Sequence, residues 1–218
     1  MTTSGTASIN FDVMDIIEEA YERAGLEART AYDIRTARRS LNLLAMEWAN
    51  RGLNLWTVQQ GTISLTPGTS QYTLPADTID LIEMVINSGG TDYHLNRVSV
   101  SDYANIPNKT TTGRPLQGYV ARTVPSTLTV WPVPDTAYTI TYWRLRRMQD
   151  VTAGGQTIDL PFRFLPCMIA GLAFQIAMKR PEAMMRAPAL QAYYEQQFQL
   201  AADEDRDRSS VFFTPYIG

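Results

Sequence analysis

His94 is the only histidine of the chain, so a catalytic triad, a histidine relay or an imidazole metal site would all have to use that one side chain. It follows the turn Ser88-Gly-Gly90 in a polar stretch, where a solitary histidine reads as an ordinary loop or strand residue. Paired carboxylates suggest a second chemistry, the acid and base of glycoside hydrolysis. Glu18, Glu19 and Glu47 fall on predicted helices, however, where adjacent or isolated carboxylates are normally solvated. One cysteine, Cys167, can form neither an intramolecular disulfide nor, alone, a zinc site. GxxxxGK[ST], GxGxxG and GxSxG do not occur. The expectation is a protein without cofactor or metal that works by binding rather than by reacting.

Three groups of residues are candidates for binding a partner. Arg35, Arg38 and Arg39 fall within one turn of a predicted helix, away from its apolar stripe. They read either as a solvated face pairing with residues such as Asp33 or as guanidinium forks for intersubunit salt bridges. Arg144, Arg146 and Arg147 alternate with Trp143, Leu145 and Met148 on a predicted strand, and Arg144 and Arg146 share one of its faces, as an interface, as a stacking surface for nucleic acid or as plain barrel surface. The third group follows the charged run Asp203 to Arg208: Val211, Phe212, Phe213, Tyr216 and Ile217 stand within seven positions. Such a segment is sticky in water and calls for a docking site, on its own domain or on another protein, with simple disorder as the third reading.

Composition sets the frame. With 218 residues and 44% hydrophobic content, the chain can bury one substantial core, or one and a half cores divided between two small domains. The formal charge of -3 and pI near 5.2 argue against gripping nucleic acid by its phosphates. A mildly acidic surface would repel DNA and let it slide past without sequence-specific contact, although the same charge fits most cytoplasmic proteins equally well. MTTSGTASIN carries no signal-peptide pattern, and the apolar run Phe164 to Met178 reads as too short to span a bilayer. No membrane role is expected.

The elements that position these residues follow from periodicity. A first helix is predicted from about Phe11 to Ala24 and stopped by Gly25. A second runs from the capping box Thr30 to Asp33 as far as Arg51, with Ile34, Ala37, Leu41, Leu44 and Trp48 as its stripe. From Leu53 to about Thr157 the period shortens and turn signals multiply, as in a small antiparallel sandwich or barrel. Within it, Thr127 to Arg147 alternates around Pro132-Val-Pro-Asp135 and reads as a hairpin, whereas Asp92 to Pro115 is a long polar excursion with one helical turn after Ser101. Helical pattern returns at Pro161, with Leu165, Ile169, Leu172, Ala173 and Ile176 in line and Gly171 allowing close approach. A last helix, from Met184 or Pro188 to Asp205, carries Leu190, Tyr193, Tyr194, Phe198 and Ala201. The predicted class is α+β: a helical bundle built from both ends of the chain (1–54 with 158–208), an inserted β domain (55–157), and an extended tail (209–218).

Several blocks carry a family resemblance: EEAYERAG (Glu18 to Gly25), RSLNLLAMEWANRGLNLW (Arg39 to Trp56), SQYTLPAD (Ser70 to Asp77), LNRVSVSDYANIPNKTTTGRP (Leu95 to Pro115) and LTVWPVPD (Leu128 to Asp135). In this order the chain resembles the head-to-tail adaptor, or tubular tail protein, of short-tailed bacteriophages. The resemblance implies a virion protein of the neck or tail, assembled in the host cytoplasm. It would form a dodecameric ring under the portal protein, retain packaged DNA and offer a platform to the tail nozzle protein, with the helical part and the C-terminal tail engaging the portal. A terminator or stopper of the same neck region is the alternative within that class, and a carboxylate-dependent wall hydrolase is the alternative outside it.

Overall fold

A computed structural model of the chain describes residues 11–52 and 55–205. The helices are α1 (Val13–Ala24), α2 (Ala31–Arg51), α3 (Val100–Ala104), α4 (Leu165–Lys179) and α5 (Ala187–Glu204). The strands are β1 (Val58–Leu65), β2 (Gln71–Thr73), β3 (Thr78–Ser88), β4 (Thr91–His94), β5 (Asn96–Val98), β6 (Gln117–Ala121), β7 (Thr127–Trp131) and β8 (Tyr138–Arg146). They form two compact units, Met1–Leu55 with Met148–Gly218 and Trp56–Arg147.

In the helical unit, the ends of α1 and α2 are set by local chemistry. Asp12 and Thr30 each accept a hydrogen bond from the third helical N–H, while Asp15 and Asp33 reach back to the cap, closing two capping boxes. Gly25 and Gly52 end the helices at φ 75° and 89°, a left-handed conformation that glycine adopts without steric cost. Val13, Ile16, Ile17, Ala20 and Ala24 are buried on α1, as are Ala37, Leu41, Leu44 and Trp48 on α2; Ile34 is only half-buried.

The helix α4 packs on α1, α2 and α5. It is buried well beyond the expected single stripe, at Cys167, Met168, Ala170 and Gly171 as well, because it has neighbours on several sides. By length and composition Phe162–Lys179 would suffice to cross a membrane, contrary to the reading from sequence, and 61% of that stretch is buried. Pro166 sits in the first turn, where its missing N–H costs nothing. Gly171 is a point of contact: a Cβ there would lie 2.7 Å from Leu44 Cδ2 and 2.8 Å from the Tyr194 ring. The segment 148–157, counted with the β region by its sequence pattern, hydrogen-bonds to the helices: Val13 N to Gln156 O, Asn42 to both backbone groups of Val151, and Arg38 to Thr152 O.

The β unit holds two four-stranded sheets, β1-β8-β3-β4 and β2-β7-β6-β5. Every pair is antiparallel except β5–β6. Leu65, Leu81, Met84, Ile86, Ile140 and Tyr142 of the first sheet meet Val120, Leu128 and Val130 of the second in one buried cluster with Leu74 and Leu95. The predicted hairpin is corrected here. Strand β7 pairs with β2 and β6, whereas β8 pairs with β1 and β3. Residues 132–137 therefore carry the chain from one sheet to the other, and the apolar faces of the two arms meet across the core. Period-two alternation identifies the buried face but not the neighbouring strand, and that ambiguity produced the error. Leu145 lies on the opposite face of β8 from Ile140 and Tyr142.

The polar excursion is also ordered structure. It supplies β4, β5 and α3, the last capped by Ser99 and Asp102. Tyr103 of α3 stacks on Tyr119 at 5.6 Å, the Trp131 indole N–H donates to Asn108 O, and the Arg114 guanidinium lies 3.8 Å over the Tyr93 ring. β4 and β5 are edge strands of the first and second sheets, and α3 with the loop through Asn108 lies against the outer face of the second sheet.

Candidate functional site

On α2 the buried stripe leaves an opposite face of Tyr32, Arg35, Arg39, Leu43 and Met46, spaced three and four apart and all exposed. Tyr32 is 64% accessible, Leu43 56% and Met46 56%. Large apolar side chains interleaved with arginine on one exposed helix face make the composition of a protein-binding surface. Sequence reading named Arg35 and Arg39 of this row but missed Tyr32, Leu43 and Met46, although the same helical spacing connects them. Arg38 turns away, half-buried, and donates to Thr152 O. Asp33, the suggested intrahelical partner of these arginines, is instead buried and paired with Arg180 from beyond α4. The Thr30 hydroxyl at 2.8 Å, and then Arg180, hold its carboxyl below the usual carboxylate range against the opposing effect of burial.

The arginines of β8 separate in the same way. Arg144 is 7% exposed, and its guanidinium forks onto both Asp77 oxygens while donating to Thr78 Oγ1 and Gln59 Oε1. That geometry makes it an internal brace of the β unit, with its charge already matched, and not a free binding group. Arg146 is half-buried and donates to the Arg147 carbonyl. Nearby, Asp80 receives Arg97 and Arg122 together. Burial pushes this carboxyl up, but the two arginines more than offset that and leave it below the usual range. The tail residues Val211, Phe212, Phe213, Tyr216 and Ile217 lie outside the described residues.

The groups that could do acid–base chemistry are held by structural partners. His94 ends β4 in the open, 2.9 Å from Glu83 and 3.2 Å from Asn96 Oδ1; Glu83 first, then Asn96, raises its pKa. Glu19 pairs with Arg23, and Glu47 lies 3.4 Å from both Arg51 and the Tyr194 hydroxyl. Cys167 is buried, and desolvation pushes its thiol up to about 12, too high for a useful thiolate at neutral pH. No group of three His, Cys, Asp or Glu side chains suited to a metal ion occurs among the described residues.

The described residues thus display an exposed helix face and clustered arginines. No curated protein matches the chain. The family model described as SU10 adaptor protein matches residues 12–216, from the cap of α1 into the tail. A match of that extent covers both units, and the chain belongs to the SU10 adaptor protein family, the phage head-to-tail adaptors, as a structural component of the virion.

Proposed function

We propose that copies of this chain assemble into a ring, a dodecamer by the resemblance, between the portal protein and the tail nozzle protein, helping to retain packaged DNA. The outward face of α2 carries this reading. Tyr32, Arg35, Arg39, Leu43 and Met46 expose a mixed aromatic, cationic and apolar row along a 21-residue helix, a surface suited to a neighbouring subunit or to the portal. The row needs nothing from the β unit, which leaves the latter for the nozzle-facing side. The tail residues Val211 to Ile217 add a second portal contact. DNA crosses the ring without sequence-specific binding, consistent with a chain of net charge -3.

The test is an Arg39→Glu, Leu43→Glu double variant, which alters only exposed positions. It should keep the parent melting temperature and lose ring formation or co-sedimentation with portal. Undiminished association on both counts would remove this face from the interface.

A further inference from the structure

A groove of about 430 Å³ lies between the end of α1 and the start of α5, lined by Arg23, Arg186, Ala189, Leu190 and Tyr193. Its floor is apolar and its rim is cationic. The Arg23 guanidinium carbon is 5.9 Å from the Tyr193 ring centroid, with its Nε held by Glu19 at 2.7 Å. The Arg186 guanidinium covers the Gly25 backbone so closely that a Cβ at Gly25 would fall 2.2 Å from Nη1. Arg186 forms no ion pair among the described residues. An apolar slot between two guanidinium groups suits aromatic rings, which bury their area and offer a π face to each cation.

The groove also opens onto a track. Leu190, Tyr193, Gln197 and Leu200 recur at helical spacing along α5, none of them buried, with Tyr193 40% and Leu200 58% accessible. The track runs from the groove toward Glu204, where α5 ends. From Leu190 to Glu204 the helix rises about 21 Å. The chain that follows reads DRDRSSVFF from Asp205 to Phe213, and eight extended residues reach about 26–29 Å. A segment doubling back along α5 therefore brings Phe212 and Phe213 level with the groove.

We propose that in the free chain the segment 211–217 docks on its own helical unit, with the Phe212–Phe213 pair between Arg23 and Arg186. The segment assigned to portal binding is thereby parked until a partner displaces it, a form of regulation that rests on the function proposed above. Parking also keeps five apolar side chains out of water while subunits are free, and it makes portal and groove competitors for one ligand.

Cross-linking the full-length protein without portal tests this. Leu190→Cys combined with Phe213→Cys should give an intramolecular link in monomeric protein, with a yield independent of concentration. Asn87→Cys on the β unit with Phe213→Cys serves as the comparison pair, and native Cys167 is buried. Links only between chains, rising with concentration, would overturn the proposal, as would a yield no higher than that of the comparison pair. Limited chymotrypsin digestion gives an independent reading. Arg23→Glu with Arg186→Glu should speed cleavage after Phe212 and Phe213 by about tenfold, because cleavage follows the undocked population, and an unchanged rate would contradict docking. Neither measurement contains portal, so this proposal can fail while portal binding stands, and the reverse.

Discussion

Arg144 and Asp77 show how a charged side chain becomes structure. The guanidinium is almost wholly out of water and can stay so because Asp77, Thr78 and Gln59 take up its donors. Asp77→Asn keeps the shape but leaves the cation short of its counter-charge, which should cost about 1–3 kcal/mol in urea unfolding of the β unit; a loss near zero would show the pair to be idle. The pH dependence has a definite sign. Hydrogen bonds from Arg144 hold the Asp77 carboxyl below its ordinary value in spite of burial, so the pair stabilises the fold above the unfolded-state pKa of about 3.9 and that stability disappears as pH falls through the folded value. The asparagine variant should lose this part of the acid dependence. Trp48 was legible from spacing alone: it is fully buried, donates to the Tyr194 hydroxyl at 3.1 Å and meets Phe198 edge-on at 6.2 Å. Trp48→Ala should cost about 3–5 kcal/mol, and an unchanged melting temperature would contradict that packing. Arg144 was not legible in the same way, since its partners Asp77 and Gln59 lie 67 and 85 positions away, and no local pattern connects them.

Helices proved easier to read than strand partners, for a physical reason. A capping box and a C-terminal glycine are local chemistry, so both bounds of α2 and the end of α1 followed from a few adjacent residues, while α1 starts at Val13, past the expected Phe11, behind an Asp12–Asp15 box that was not read. Strand pairing is decided across the core, and the alternation on either side of Pro132 and Pro134 is equally compatible with a hairpin and with a crossing between sheets. The polar excursion hid β4 and β5 because these strands are short and largely exposed, whereas its one helical turn was legible and is α3. Of the apolar residues named on the last helix, Tyr193 faces outward while Tyr194, Phe198 and Ala201 are buried. The junction of α2, α4 and α5 makes its own prediction. A side chain at Gly171 would strike Leu44 and Tyr194 together, so Gly171→Val should destabilise the helical unit by about 2–3 kcal/mol through overpacking. A neutral result would mean that α2 and α5 separate without cost.

The whole chain is an insertion protein. Strands β1 and β8 begin and end the β unit as hydrogen-bonded neighbours, with Val58 opposite Leu145, so the chain enters and leaves at one place and the unit has a core of its own. The excised segment 56–147 should therefore fold alone and unfold cooperatively on heating, whereas a featureless melt would tie its stability to the helices. Assembly is the property least visible in a single chain, because an interface shows only as surface: the row proposed for it, Tyr32, Arg35, Arg39, Leu43 and Met46, carries no motif, and its spacing becomes informative only once α2 is seen to be buried on the other side. Family membership supplies the setting, and the proposed ring on the portal is tested directly by imaging. Electron cryomicroscopy of the purified protein mixed with portal should show a twelvefold ring stacked on the portal ring, with α2 in a subunit or portal contact. A sixfold ring, or particles of bare portal beside free monomer, would contradict the account.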